Sequence, residues 1–159
     1  MSQRTGIGWD SHRLVAGRPL VLGGVEVESD VGLEGHSDAD VLTHAVIDAL
    51  LGAAGLDDIG THFPDTDPEY KDADSIALLE ETGRLVAQAG FAIVNVDATV
   101  MLEAPKIGAQ RAQMRERLAA ALGLEPSEVN VKATTGEGMD AVGRGEGASA
   151  IAVATLRPS

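Results

Sequence analysis

Two short stretches near the start of the chain combine residue types that bind metal. They are Asp10-Ser11-His12, and His36-Ser37-Asp38-Ala39-Asp40 followed by His44. Carboxylate oxygen and imidazole nitrogen are zinc donors, and three such ligands with an open fourth position describe a catalytic site. The spacing suits the elements. Thr5 to Leu14 is predicted as a strand, where residues two apart share a face, so Asp10 and His12 project together. Asp38 to Ala53 is predicted as a helix with an apolar stripe of Leu42, Val46, Ala49, Leu50 and Ala53. Asp40, His44 and Asp48, four apart, form a separate polar line on that helix. A structural reading of the same residues stands beside this one. Asp-x-His pairs occur on surface strands by chance, and Ser37 with Asp40 fits the S-x-x-D capping pattern, with Ser37 as N-cap. A single helix histidine is also often a hydrogen-bonded core residue.

Three further segments could do chemistry. His36 and Ser37 precede a helix N-terminus, where backbone N–H groups and the dipole favour phosphate. Lys132-Ala133-Thr134-Thr135-Gly136-Glu137 ends a strand with two hydroxyls and a carboxylate able to hold Mg²⁺, or forms a plain polar turn. Gly143-Arg144-Gly145-Glu146-Gly147 lacks Walker A spacing and precedes a strand, so it reads as a tight entry carrying an Arg–Glu pair.

The elements that must position these groups follow from pattern. Pro19 to Glu28 reads as a hairpin turning at Gly23-Gly24. Leu56 to Ala73 is a polar segment too long for an ordinary connection, and long ordered loops carry function. Ser75 to Ala89 is a helix stopped by Gly90. Phe91 to Glu103 is a strand with Val94, Val96, Ala98 and Val100 on one buried face. Pro105 opens a third helix to about Leu122, stopped by Gly123. Val129 to Thr134 is a strand, Gly136 to Gly147 a glycine-rich loop, and Ala148 to Arg157 a last strand apolar enough to be buried on both faces. No repeat or linker interrupts this order. The expectation is one α+β domain over residues 1–159, a mixed sheet covered by helices on one face and by neighbouring subunits on the other.

Composition narrows the partners. With 159 residues, 44% hydrophobic, the chain can bury a sizeable core. It has no cysteine, which excludes disulfides and cysteinyl zinc. A net charge of −13 and only 3% aromatics argue against nucleic acid. No apolar run approaches the roughly 18 residues of a membrane span. The first strand begins within a few residues of Met1, leaving no room for a signal peptide, so a cytoplasmic enzyme is expected. An anionic substrate would need help here from metal ions, backbone N–H groups or a few placed cations.

The chain resembles the 2-C-methyl-D-erythritol 2,4-cyclodiphosphate synthase family of the non-mevalonate isoprenoid pathway, over nearly its whole length. Gly6-Ile7-Gly8-Trp9-Asp10-Ser11-His12, Gly35-His36-Ser37-Asp38-Ala39-Asp40 with His44, and Asp48-Ala49-Leu50-Leu51-Gly52-Ala53 carry the resemblance. So do Asp58-Ile59-Gly60, Phe63-Pro64-Asp65-Thr66-Asp67-Pro68, Ala104-Pro105-Lys106, Asn130-Val131-Lys132-Ala133-Thr134-Thr135 and Gly143-Arg144-Gly145-Glu146-Gly147. It implies that the 2-phosphate of 4-diphosphocytidyl-2-C-methyl-D-erythritol 2-phosphate attacks the β-phosphorus of its own diphosphate. CMP leaves and an eight-membered cyclic diphosphate forms.

The same resemblance implies residue roles. Zn²⁺ would sit on Asp10, His12 and His44, and Mg²⁺ or Mn²⁺ would be touched by Glu137. His36 and Thr135 look like transition-state stabilisers, with Ser37 beside them at the phosphate or erythritol. Asp58, Ile59 and Gly60 would hold the erythritol hydroxyls, and Phe63, Pro64, Asp65, Thr66 and Asp67 would close over the substrate. Leu102, Glu103, Ala104, Pro105, Lys106, Ile107 and Gly108 would form the cytidine pocket with Ala133, Thr134, Thr135, Gly136 and Glu137. Asp48, one turn after His44, is placed by spacing to orient that imidazole. The family is homotrimeric with active sites between subunits, binding neither nucleic acid nor membrane.

The chain departs from the family pattern at Gly136-Glu137-Gly138-Met139-Asp140-Ala141-Val142. A bulky apolar residue is lost at Ala141 and a charge gained at Asp140. In some relatives the cavity on the trimer axis holds an isoprenoid diphosphate beside the residues matching Arg144 and Glu146. Weaker or absent binding is expected here. Two rival readings are a zinc phosphohydrolase on the same three ligands and a non-catalytic trimeric binding module. The Ala104-Pro105-Lys106 and Ala133-Thr134-Thr135 segments speak against the hydrolase.

Overall fold

The chain begins with a long strand, β1 (Arg4–Ala16), and a short hairpin, β2 (Leu20–Leu22) and β3 (Val25–Val27), in a computed structural model that describes residues 2–159. β4 (Val31–Leu33), α1 (Val41–Ala54), the single turn α2 (Ile59–His62) and α3 (Ser75–Gln88) follow. The second half is β5 (Phe91–Met101), α4 (Arg111–Leu122), β6 (Val129–Thr134), the single turn α5 (Asp140–Gly143) and β7 (Gly147–Pro158). Five strands form a mixed sheet in the order β4-β1-β7-β5-β6, with only β5 and β6 parallel. β2 and β3 pair separately around Gly23 and Gly24, whose φ values of +59° and +72° suit the expected two-residue turn.

The helices lie on one face of the sheet, and small residues let them come close. On β1 that face carries Gly6 and Gly8, where an added Cβ would sit 2.1 Å from the Ala49 carbonyl oxygen and 1.9 Å from that of Ala45. On β7 it carries Ala148, Ala150, Ala152 and Ala154, all buried. α1 therefore beds directly on two strands, while α3 packs on its other side. This is why α1 is buried well beyond the expected stripe: Val41, Ala45, Ile47 and Leu51 are fully enclosed too.

Several boundaries differ from expectation. α1 starts at Val41 because Asp40 caps it. α4 starts at Arg111, not at Pro105, which follows a cis peptide in an irregular segment. Both Leu102 and Ile107 in that segment are buried. Val94 falls out of alternation at a bulge between Ile93 and Asn95, leaving Val96, Ala98 and Val100 as the buried face of β5. Within the single chain β7 is covered on one face only. Its alanines point inward, while Ile151 and Val153 point outward and are 36% and 39% exposed. They pair across strands with Trp9 and Ile7, which are 61% and 65% exposed, so the outer face is an apolar strip.

Candidate metal and substrate site

Asp10 and His12 continue the β1 face that begins with Gly6 and Gly8, just beyond the N-terminal end of α1. His44, in the first turn of that helix, meets them. Donor atoms of Asp10, His12 and His44 all lie within 4.8 Å of one another. Asp10 Oδ2 is 3.0 Å from His12 Nε2 and 3.2 Å from His44 Nδ1. His12 Nδ1 donates to the Glu34 carbonyl at 2.7 Å, so Nε2 faces the carboxylate: protonated, it donates to Asp10, and unprotonated, it offers its lone pair to a metal. Metal-ligating histidines are held in this way by a carbonyl behind the ring. The nitrogen, nitrogen and oxygen donor set fits zinc.

The electrostatics agree with this cluster. Burial pushes the Asp10 carboxyl up, but hydrogen bonds and attraction from His12 and His44 outweigh it and hold it below its ordinary value. Burial pulls the His12 imidazole down, yet the Asp10 contact and the Glu34 carbonyl raise it overall. Burial also pushes the neighbouring Asp38 carboxyl up.

The polar line on α1 divides into separate tasks. Asp40, not Ser37, is the N-cap. Its fully buried carboxylate accepts from Thr43 N–H, Thr43 Oγ1, Gly23 N–H, Gly24 N–H and Ser75 Oγ at 2.7–2.9 Å. It thus ties the hairpin turn and the start of α3 to the helix that carries His44. Ser37 Oγ accepts from Ala39 N–H and lies 3.3 Å from His44 Nε2. Asp48 does not orient His44. Its carboxylate accepts the Ile59 N–H at 3.0 Å and anchors the following loop.

That loop makes one wall of a cavity of about 360 Å³ above the triad. Asp10, His12, His36, Ser37 and His44 form its floor, and Ile59, Gly60, Phe63, Pro64 and Asp65 its side. Asp58 does not line the cavity but is the N-cap of α2, held below the usual carboxylate range by the Thr61 hydroxyl and N–H. Thr66 and Asp67 do not line the cavity, but the Asp67 carbonyl is 3.0 Å from His36 Nε2. Tyr70 and Leu78 also line the cavity and had not been singled out. Tyr70 meets the Phe63 ring edge-on at 5.5 Å, a pairing across loop residues with no sequence period to reveal it.

A second cavity, about 270 Å³, opens where β5 and β6 end. Leu102, Glu103, Pro105, Lys106, Ile107 and Gly108 face Ala133, Thr134 and Thr135 across it, as the cytidine reading expects. Arg111 joins them unforeseen, and Ala104 turns to the far side of the loop. Gly136 borders it through a bond to Glu103. Glu137 is exposed, with a φ of +54°, and lines neither cavity. The two cavities share no residue, so His36 and Thr135 are not brought together within one chain. A third hollow, about 340 Å³, lies against the outer sheet face between Trp9, Ala141 and Val142. Glu146 also lines it, and the exposed Arg144, which does not, is bonded to Glu146 at 2.9 Å.

The sequence model of the YgbB family matches residues 3–157. The chain belongs to the YgbB family. A 2-C-methyl-D-erythritol 2,4-cyclodiphosphate synthase of Desulfatibacillum aliphaticivorans is 65% identical over 153 residues, covering 96% of this chain and 99% of that protein. Among solved structures, the bifunctional IspDF from Campylobacter jejuni superposes with a TM-score of 0.96 at 41% identity, covering 99% of this chain and 43% of that one. A CDP complex of Plasmodium falciparum IspF superposes with a TM-score of 0.87 at 30% identity, covering 99% and 97%. The α+β fold, with its mixed sheet and one helix-covered face, is thus the fold of the YgbB family. Among the described residues no helix is long and apolar enough to cross a membrane.

Proposed function

We propose that this chain converts 4-diphosphocytidyl-2-C-methyl-D-erythritol 2-phosphate to 2-C-methyl-D-erythritol 2,4-cyclodiphosphate and CMP, a step of isoprenoid precursor biosynthesis. The observation that carries the reading is the Asp10, His12 and His44 cluster at the base of a cavity lined by His36 and Ser37. An oxygen of the 2-phosphate forms a bond to the β-phosphorus. The bond from that phosphorus to the bridging oxygen breaks, and CMP carries that oxygen away. Such a transfer needs positioning and charge stabilisation rather than a protein nucleophile.

Zn²⁺ on Asp10, His12 and His44, and Mg²⁺ or Mn²⁺ touched by Glu137, would supply Lewis-acid neutralisation of the phosphates in a protein of net charge −13. The side chains do the rest. His36, whose Nε2 now reaches the Asp67 carbonyl, exchanges that acceptor for a phosphate oxygen. Ser37 and Thr135 offer hydroxyl donors. Asp58, with the Ile59 and Gly60 backbone, holds the erythritol hydroxyls, and the Phe63 to Asp67 loop excludes water. The cavity between Leu102 and Thr135 takes the cytidine, a reading supported by the CDP bound to the Plasmodium falciparum relative.

A homotrimer belongs to this reading. The metal and cytidine cavities share no residue, and a neighbouring subunit would bring one against the other. The exposed strip of Ile7, Trp9, Ile151 and Val153 is the face such neighbours would cover. A cytoplasmic setting goes with it, since substrate and product are polyanions that a bilayer excludes. The test is product identity: CMP and cyclic diphosphate in equal amounts, without inorganic phosphate. Inorganic phosphate as the product would make this a hydrolase.

A further inference from the structure

We infer that Glu103 is a positioning residue that sets the Thr134–Glu137 segment through the Gly136 N–H, and so holds Thr135 and Glu137 in place. The inference rests on the cytidine reading of the second cavity. β5 and β6 run parallel up to the pair Met101 and Thr134, and the Leu102 N–H donates to the Thr134 carbonyl at 2.9 Å as the last rung. Beyond it the two chains part to make the walls of the cavity. Glu103 Oε1 spans the gap and accepts the Gly136 N–H at 2.9 Å.

Gly136 is wedged from the other side as well. A Cβ there would lie 2.6 Å from the Gly143 nitrogen and 2.9 Å from the Met139 carbonyl oxygen, and its own carbonyl accepts the Met139 N–H at 2.9 Å. The next residue, Glu137, has a left-handed φ of +54°, which a glutamate adopts only when its surroundings impose it. Its N–H is held by Thr135 Oγ1 at 3.2 Å. The bond from Glu103 therefore fixes the Thr135–Gly136 peptide, at the one residue between the two that the reaction uses. Thr134, Thr135 and Glu137 are all exposed, so these hydrogen bonds rather than burial confine them. A carboxylate is the stronger acceptor for an N–H, although it adds negative charge beside a polyanionic ligand. Its place at the cavity wall is explained by the bond, not by attraction to substrate.

Three variants separate reach from charge. Glu103→Gln keeps the reach and an acceptor oxygen without the charge. Glu103→Asp keeps the charge but is one methylene short, and Glu103→Ala lacks both. CMP affinity by calorimetry with Mg²⁺, kcat with the cytidyl diphosphate substrate, zinc content and thermal midpoint are measured for each. Glu103→Gln is expected within about threefold of the unaltered protein. Glu103→Asp and Glu103→Ala are each expected to lose about tenfold or more in CMP affinity and in kcat, with zinc content unchanged. Unaltered behaviour of Glu103→Asp with failure of Glu103→Gln would overturn the proposal, because charge alone would then matter. Unaltered behaviour of Glu103→Ala would do the same. Absence of CMP binding by the unaltered protein would instead remove the cytidine reading, and this inference with it.

Discussion

A Cβ added to Gly8 would lie 1.9 Å from the Ala45 carbonyl oxygen, a distance no side chain can occupy. Ala45 follows His44 directly, and Gly8 is two residues before Asp10 on the same strand face. The close bedding of helix on strand therefore sets the separation of the metal ligands. Gly8→Ala must push α1 off the sheet. The expected cost is about 1–3 kcal/mol, a fall of several degrees in the thermal midpoint. Zinc affinity should fall with it. Unchanged zinc affinity in a folded Gly8→Ala protein would separate the packing from the metal site.

Asp40 gives the sharpest stability test. All five of its bonds come from donors, two to Oδ1 and three to Oδ2. In Asp40→Asn one of these oxygens becomes an NH₂ group facing at least two donors. The loss should be about 3 kcal/mol in urea unfolding, since buried donors are left unmatched. A loss below about 0.5 kcal/mol would mean the network is not formed in solution.

The titration of the triad predicts how pH acts. His12 is raised, so its contact with Asp10 stabilises the metal-free protein fully below its ordinary value of 6.5, and the contribution is lost as pH rises through the raised value. Asp10 is lowered, so its contribution is present above its ordinary value of 3.8 and is lost as pH falls through the lowered one. Zinc needs the imidazole unprotonated, so its affinity should climb as pH rises through the His12 value. Zinc titrations across about pH 5.5 to 8 read this directly. A flat profile would place the metal elsewhere.

The hollow against the outer sheet face should take an isoprenoid diphosphate poorly. Ala141 offers it little apolar surface, and Arg144 is already engaged by Glu146. Geranyl diphosphate should leave the thermal midpoint unchanged. A rise that disappears in Arg144→Ala would contradict this.

The two halves of the triad are legible in local spacing, Asp10 and His12 two apart on a strand and His44 at the start of an apolar helix, but that they meet across 34 positions is implied only by the family resemblance. What failed depended on contacts distant in sequence. Nothing near Asp40 reveals that it meets Gly23, Gly24 and Ser75, and helical spacing alone drew Asp48 toward His44 when its partner is Ile59 N–H. For β7 the sequence shows only that the strand is apolar throughout, because alanine and valine both count as apolar. The difference between a buried Ala152 and an exposed Val153 lies in which side α1 covers. Pro105 carries a helix-opening signal, but Leu102 and Ile107 are buried and that segment forms a cavity wall instead.

The most direct measurement is phosphorus NMR of the protein with the cytidyl diphosphate substrate, Zn²⁺ and Mg²⁺, with and without chelator, beside His44→Ala. The expected result is CMP release together with a new cyclic diphosphate signal, both abolished by chelator and by the substitution. A linear diphosphate or inorganic phosphate in their place, or cyclisation that survives loss of His44, would contradict the account.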